Sequence, residues 1–274
     1  MRQLTGALVV TVLASTSAWA GRACEERTAA PEATANAFDA ALNLKTWLDK
    51  AQPRVALVAR RGQNLEKYGL RYSHMGYVVH DPAGGWTIVH DLNKCGTAEA
   101  DLYEQGLAEF FADDLFSYEV AIVVPTPELQ SRLLDALSPA KRFAMHEAHY
   151  SAVAYPFATK YQNSNGWLLE TYVQALSPVP LVGRTEAQHA LQALQYAPSV
   201  LDIGPMTRLG GRVFKANVVF DDHPPSLRWT NRITVNTGDD LVKFTSQWAV
   251  PEPDCGHGTF ANSVCVLTPP ANLP

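Results

Sequence analysis

Apolar residues along this chain fall into short blocks whose period changes several times. Phe38, Ala41, Leu42, Leu44, Trp47 and Leu48 recur at helical spacing and predict a helix over 38–51. The polar, alanine-rich stretch before it, 25–37, reads as a loose arm. Residues 54–59 form a short apolar strand, and 61–64 a turn. Two further strands, 71–80 and 86–91, flank Asp81-Pro82-Ala83-Gly84-Gly85, which has the composition of a hairpin turn. The stretch 101–111 alternates at helical spacing. Residues 118–124 read as a β-branched strand, apolar except for Glu119. A helix is expected over 127–137, with proline in its first turn, and others over 139–150, 165–176 and 186–196. Beyond Pro198 the pattern weakens. Stretches 213–220 and 232–236 are strand-like, 239–248 is helical, and the tail 249–274 is proline-rich and irregular.

Mixed strands and helices without a repeat predict an α+β chain. It carries a helical insertion and a C-terminal elaboration. Residues 21–274 read as one domain, with the weakest internal boundary near 177–184.

The first twenty residues change the picture of location. Arg2 precedes the apolar run Leu8-Val9-Val10-Thr11-Val12-Leu13-Ala14, and Ala18-Trp19-Ala20 offers small residues where signal peptidase cuts. Residues 1–20 are therefore expected to be a signal peptide, cleaved before Gly21. The apolar run is too short to span a bilayer, and no later segment is long enough either. The implied location is the periplasm or the exterior, with no membrane span after cleavage. The formal net charge is −5, without long charged runs, which argues against nucleic acid and anionic membrane partners.

Cysteine count agrees with export. Cys24, Cys95, Cys255 and Cys265 are an even set, as two disulfides require. Four cysteines admit three connectivities. The favoured one closes a short loop with Cys255–Cys265 and joins Cys24 to Cys95. The alternative leaves Cys95 as a free nucleophilic thiol. None of the spacings is that of a metal site, no phosphate loop or dinucleotide fingerprint is present, and no cofactor is expected.

Three positions carry candidate chemistry. His74 stands in a strand where Tyr72, His74, Gly76 and Val78 share a face, and the glycine leaves room beside the imidazole. His90 closes the next strand, within cross-strand reach. The pair reads as a base and its orienting group, or as two histidines hydrogen-bonded in a hairpin. Ser164 lies at the start of the 165–176 helix. Free N–H groups there suit a nucleophile and a developing oxyanion; equally, Asn163 and Ser164 are ordinary helix caps. Asn163, Asn165, Tyr72, Tyr161 and Trp167 are candidate binding residues around them. His146-Glu147-Ala148-His149 and Asp221-Asp222-His223 read as polar surface and turn rather than metal sites.

Taken together, Tyr72-Ser73-His74-Met75-Gly76-Tyr77-Val78, His90 and Asn163-Ser164-Asn165-Gly166-Trp167-Leu168 resemble the permuted papain-like superfamily. That group includes lecithin:retinol acyltransferase-like enzymes and permuted NlpC-type peptidases. The resemblance implies a permuted papain-like α+β fold, an antiparallel sheet packed on helices, and a catalytic set of Ser164, His74 and His90, with serine where the superfamily has cysteine. A serine hydroxyl stays protonated where a thiol ionises, so it needs concerted proton removal. A second resemblance spans nearly the whole mature chain. Gly21-Arg22-Ala23-Cys24-Glu25-Glu26-Arg27, Lys67-Tyr68-Gly69-Leu70-Arg71-Tyr72-Ser73-His74, Cys95-Gly96-Thr97-Ala98 and 155–165 are similar to an exported bacterial family known as domain of unknown function 2145. The implied function is hydrolysis or acyl transfer at an amide or ester. The alternative is a catalytically inactive papain-like binding or assembly module of the periplasm. Either implies a cell-envelope small molecule, lipid or peptide as ligand.

Overall fold

The computed structural model describes residues 30–113, 115–204, 208, 216–228, 230–251 and 263–268. The expected signal peptide, Cys24 and Cys255 lie outside them.

The first helix, α1 (Pro31–Ala51), begins with proline at its first turn and buries Ala37, Ala40, Ala41, Leu44, Trp47 and Leu48. Residues 31–37 are therefore helix, not loose arm, because alanine is the best helix former and proline at N1 costs nothing there. Phe38 and Leu42, assigned to the apolar stripe, lie on the exposed face.

Six strands make one antiparallel sheet in the order β4-β3-β2-β1-β5-β8. They are β1 (Val55–Arg61), β2 (His74–Asp81), β3 (Gly85–Asn93), β4 (Ala100–Gly106), β5 (Ser117–Val123) and β8 (Val264–Leu267). The central β1 is buried on both faces, which is why it reads as an unbroken apolar run. The expected β2–β3 hairpin is present, with Tyr77 opposite Val89 and Asp81 opposite Gly85.

Four expectations fail here. The 101–111 stretch is not one helix: Ala100–Gly106 pairs with β3, and only α2 (Leu107–Phe111) is helical. Gly106 divides them, and pairing along the sheet edge overrides a weak local period. The 139–150 stretch is a series of turns. Of 213–220, the described residues 216–220 form no strand. In the tail, by contrast, Val264–Leu267 pairs with β5 through Val120–Val123.

Helices cover both faces of the sheet. On one, α1 and α2 enclose Val58, Val78, Ile88, Phe110 and Phe111. On the other lie α3 (Pro127–Ala136), α4 (Ser164–Leu176), α5 (Gly183–Ala193) and α6 (Gly238–Thr245). Their core includes Leu57, Met75, Tyr77, Val89, Trp167, Leu168 and Tyr172. Tyr77 donates its hydroxyl to the Leu168 carbonyl at 2.6 Å, tying α4 to β2. A two-stranded ribbon, β6 (Ser199–Asp202) with β7 (Arg232–Val235), leads into α6. The fold is thus α+β, an antiparallel sheet between helical layers. No described helix is long and apolar enough to cross a membrane.

Cys95 and Cys265 are both disulfide-bonded, and no described cysteine is free. Cys95 is in the β3–β4 turn and Cys265 on β8, at opposite edges of the sheet. At about 4.8 Å per strand they stand roughly 20 Å apart, far beyond the ~7 Å Cα limit for a bridge. They are not bonded to each other, which removes one of the three connectivities. A free thiol at Cys95, the alternative nucleophile, is excluded with it.

Candidate functional site

Helix α4 starts where its cap dictates. Asn163 is extended, and its Oδ1 accepts the Gly166 N–H at 2.7 Å while its Nδ2 donates to the Asn236 carbonyl at 3.1 Å. A Cβ on Gly166 would stand 3.1 Å from that Oδ1, so glycine lets the cap close. Asn165 donates to the carbonyls of Ser73 and Asn236, at 3.3 and 3.4 Å. The helix start is thereby pinned between the first residue before β2 and the β7–α6 junction. Gly238 N–H in turn donates to the Tyr72 carbonyl at 3.1 Å, an approach a side chain would block.

Tyr72 itself does not share the His74 face. It precedes the strand and turns into the α4-side core, with its hydroxyl donating to Glu119 at 2.9 Å. His74, Gly76 and Val78 do share a face, the one covered by α2. The His74 and His90 rings are 5.1 Å apart and pack against Phe110 of α2 at 6.0 and 5.4 Å. His74 Nε2 and His90 Nδ1 are hydrogen-bonded at 2.9 Å. Burial, with Arg60 next, holds the His74 imidazole well below its usual range. Burial and then Arg60 take His90 down to about 4. Both imidazoles are neutral at pH 7. His74 Nδ1 makes no hydrogen bond to a described residue.

A cavity of about 570 Å³ opens at this end of the strands. His74, Ser164, Asn163, Asn165, Tyr72 and Tyr150 all line it. Ser164 enters from the α4 side and His74 from the α2 side, and no hydrogen bond joins them. Tyr150 sits at the helix start beside Ser164, whose hydroxyl and N–H favour the ionised phenol. Burial outweighs their pull and pushes the phenol up to about 12. Among the described residues the charged ones that line it, Arg60 and Asp113, neutralise each other at 2.6 Å. A neutral imidazole, a hydroxyl at a helix N-terminus and a phenol across one cavity are groups suited to acyl chemistry.

Two expected binding residues are elsewhere. Trp167 is fully buried, with its Nε1 donating to the Arg142 carbonyl at 3.2 Å and its ring edge-on to Tyr77. Tyr161 does not line the cavity; its carbonyl accepts from Arg184 at 3.1 Å. His149 pairs with Glu147 at 2.7 Å, and the described residues hold no cluster suited to a metal. Sequence reasoning missed two residues beside the histidines, Gln105 and Glu109. It also missed Asp91, fully buried behind His90, whose carboxyl faces His146 Nε2 at 3.5 Å and is pushed up by burial. No local pattern marks them, because the β3–β4 pairing places Gln105 and Asp91, and the packing of α2 on that sheet edge places Glu109.

A family described as an uncharacterized protein conserved in bacteria, DUF2145, matches residues 47–245, and the chain belongs to it. No curated protein and no solved structure matches the chain.

Proposed function

We propose that this DUF2145 protein is an exported, periplasmic enzyme of permuted papain-like type that cleaves or transfers an acyl group at an amide or ester. The observation that carries the reading is the shared cavity, into which Ser164 at a helix N-terminus and the neutral His74 both open. The resemblance of the histidine strands and the Asn163-Ser164-Asn165 motif to that superfamily supports it. So does the signal-peptide pattern of residues 1–20.

In this reading Ser164 Oγ attacks the acyl carbonyl while His74 Nδ1 takes its proton. His90 holds His74 through the 2.9 Å bond. The Ser164 N–H and the Tyr150 hydroxyl stabilise the oxyanion. The protonated imidazole then gives its proton to the leaving amine or alcohol, and water or a second nucleophile releases the acyl group from Ser164. Ser164 and His74 must close on each other when ligand binds, as catalytic hydrogen bonds often do. The test is labelling by a fluorophosphonate probe. Ser164→Ala and His74→Ala are expected to abolish labelling; a wild type that labels no more than Ser164→Ala overturns the reading.

A second reading is a non-catalytic binding module of the cell envelope. Two observations favour it: serine replaces the superfamily's cysteine, and no hydrogen bond joins Ser164 to His74. Ser164→Cys decides between them. New hydrolysis in that variant marks a competent catalytic frame. Inertness of both forms toward envelope amides and esters, with a ligand retained by both, supports binding.

A further inference from the structure

His90 Nε2 is hydrogen-bonded to Gln105 Oε1 of β4 at 2.8 Å. Gln105 Nε2 donates to Glu109 Oε1 of α2 at 3.1 Å. With the His74–His90 bond at 2.9 Å, these make an unbroken row: Glu109, Gln105, His90, His74. Its direction is determined from one end. A carboxylate only accepts, so the Gln105 amide must turn its NH2 to Glu109 and its oxygen to His90. His90 must then carry its proton on Nε2 and leave Nδ1 as an acceptor. His74 must donate from Nε2 to that acceptor, which leaves its own Nδ1 as a bare lone pair. Among the described residues the hydrogen bond of the His74 ring is the one from Nε2, which leaves Nδ1 facing the cavity side unbonded.

We propose that Glu109 and Gln105 are positioning residues that fix the tautomers of His90 and His74, and so make His74 Nδ1 the basic atom at the cavity. The catalytic meaning rests on the reading of Ser164 and His74 given above; the tautomer assignment does not. The row orients and does not conduct. When Ser164 gives its proton to His74 Nδ1, the proton on Nε2 stays where it is. The imidazolium is held by His90, whose lone pair faces it because Gln105 occupies the other nitrogen.

Neighbouring groups do not set the same direction. Arg60, paired with Asp113, lies over the Phe110 ring at 4.6 Å and its charge disfavours protonation of both imidazoles, but it has no hydrogen bond to either. Glu109 is exposed, so it can be altered without opening the core.

The test is the long-range 15N–1H correlation spectrum of the full chain labelled with 15N-histidine at pH 7. His74 and His90 are assigned by single replacement. The wild type is expected to show Nε2–H on both. Gln105→Lys places a donor against His90 Nε2 and is expected to move the His90 proton to Nδ1 and the His74 proton to Nδ1 in turn. Glu109→Gln frees the Gln105 amide to rotate and is expected to give mixed tautomers in a folded protein. Labelling of Ser164 by the fluorophosphonate should slow in both by about tenfold or more, the loss seen when the partner that orients a metal-binding histidine is removed. An Nδ1–H on either histidine in the wild type overturns the proposal. So do unchanged nitrogen shifts in both variants. Expected tautomers with no labelling in any form would leave the positioning intact and sink the catalytic reading instead.

Discussion

Gly76 and His90 stand so close across the β2–β3 pair that a Cβ on Gly76 would lie 3.3 Å from the His90 Cβ and 2.7 Å from Ile88 Cγ2. The glycine is therefore the space in which His90 turns toward His74. Gly76→Ala is expected to destabilise by about 1–3 kcal/mol, the usual cost of overpacking a filled core. It should also lengthen the His74–His90 bond. Urea unfolding reads the first effect, and histidine NMR the second. A variant as stable as the wild type, with unchanged histidine shifts, contradicts this account.

The buried imidazoles make acid stability predictable in sign. His90 has its folded value near 4, below the ordinary 6.5, and His74 is lowered as well. Between those limits the unfolded chain binds more protons than the folded one, so stability is complete above about pH 6.5 and falls toward pH 4. His90 alone accounts for about 3 kcal/mol across that window. Asp91 works in the opposite sense, since burial raises its carboxyl, and stability rises as pH falls through its range. Comparing His90→Gln with the wild type isolates the histidine: the difference in unfolding free energy should change with pH from 6.5 to 4.5. Parallel curves would refute it.

Glu170 lies on the buried side of α4, 2% exposed, and is held by Arg184 at 2.7 Å, Gln188 at 2.8 Å and Gln162 at 2.6 Å. Arg184 also donates to the Thr159 carbonyl at 2.8 Å, so one guanidinium joins α5, α4 and the segment that leads into the Asn163 cap. Arg184→Ala leaves a buried carboxylate without its cation and is expected to cost about 3–5 kcal/mol. Adding Glu170→Gln should recover part of the loss. Thermal unfolding of the two variants checks it, and an Arg184→Ala loss below about 1 kcal/mol would rule out a structural latch.

Since Cys95 and Cys265 sit at opposite edges of the sheet, each needs a partner elsewhere in the chain. The pairing proposed is Cys24–Cys95 with Cys255–Cys265. Non-reducing peptide mapping should find those two crosslinks, and Cys24→Ser should release one thiol, at Cys95. The Cys24–Cys95 bridge closes a loop of about 70 residues and is expected to contribute roughly 4 kcal/mol. A Cys24–Cys265 crosslink would disprove the pairing.

Sequence alone determined the elements whose period was strong. The β2–β3 hairpin, β1, β5, α3 and α4 follow from alternation, an unbroken apolar run and a capped helix start, all properties of neighbours in the chain. The candidate residues His74, His90 and Ser164 were legible for the same reason. Tertiary structure decided what depends on partners far away. β4 is a strand only because β3 offers it an edge, and β8 only because β5 does. Tyr72 leaves the His74 face because Gly238 and Asp239 hold its backbone; its N–H donates to Asp239 at 2.7 Å. Trp167, which looked like a binding residue beside Ser164, is core because Tyr77 and the Arg142 carbonyl enclose it. The row from Glu109 to His74 exists only where a strand edge and a helix meet. Local periodicity carries which way a side chain points along its own element; what it meets there is decided by the pairing of elements, which no short stretch of sequence contains.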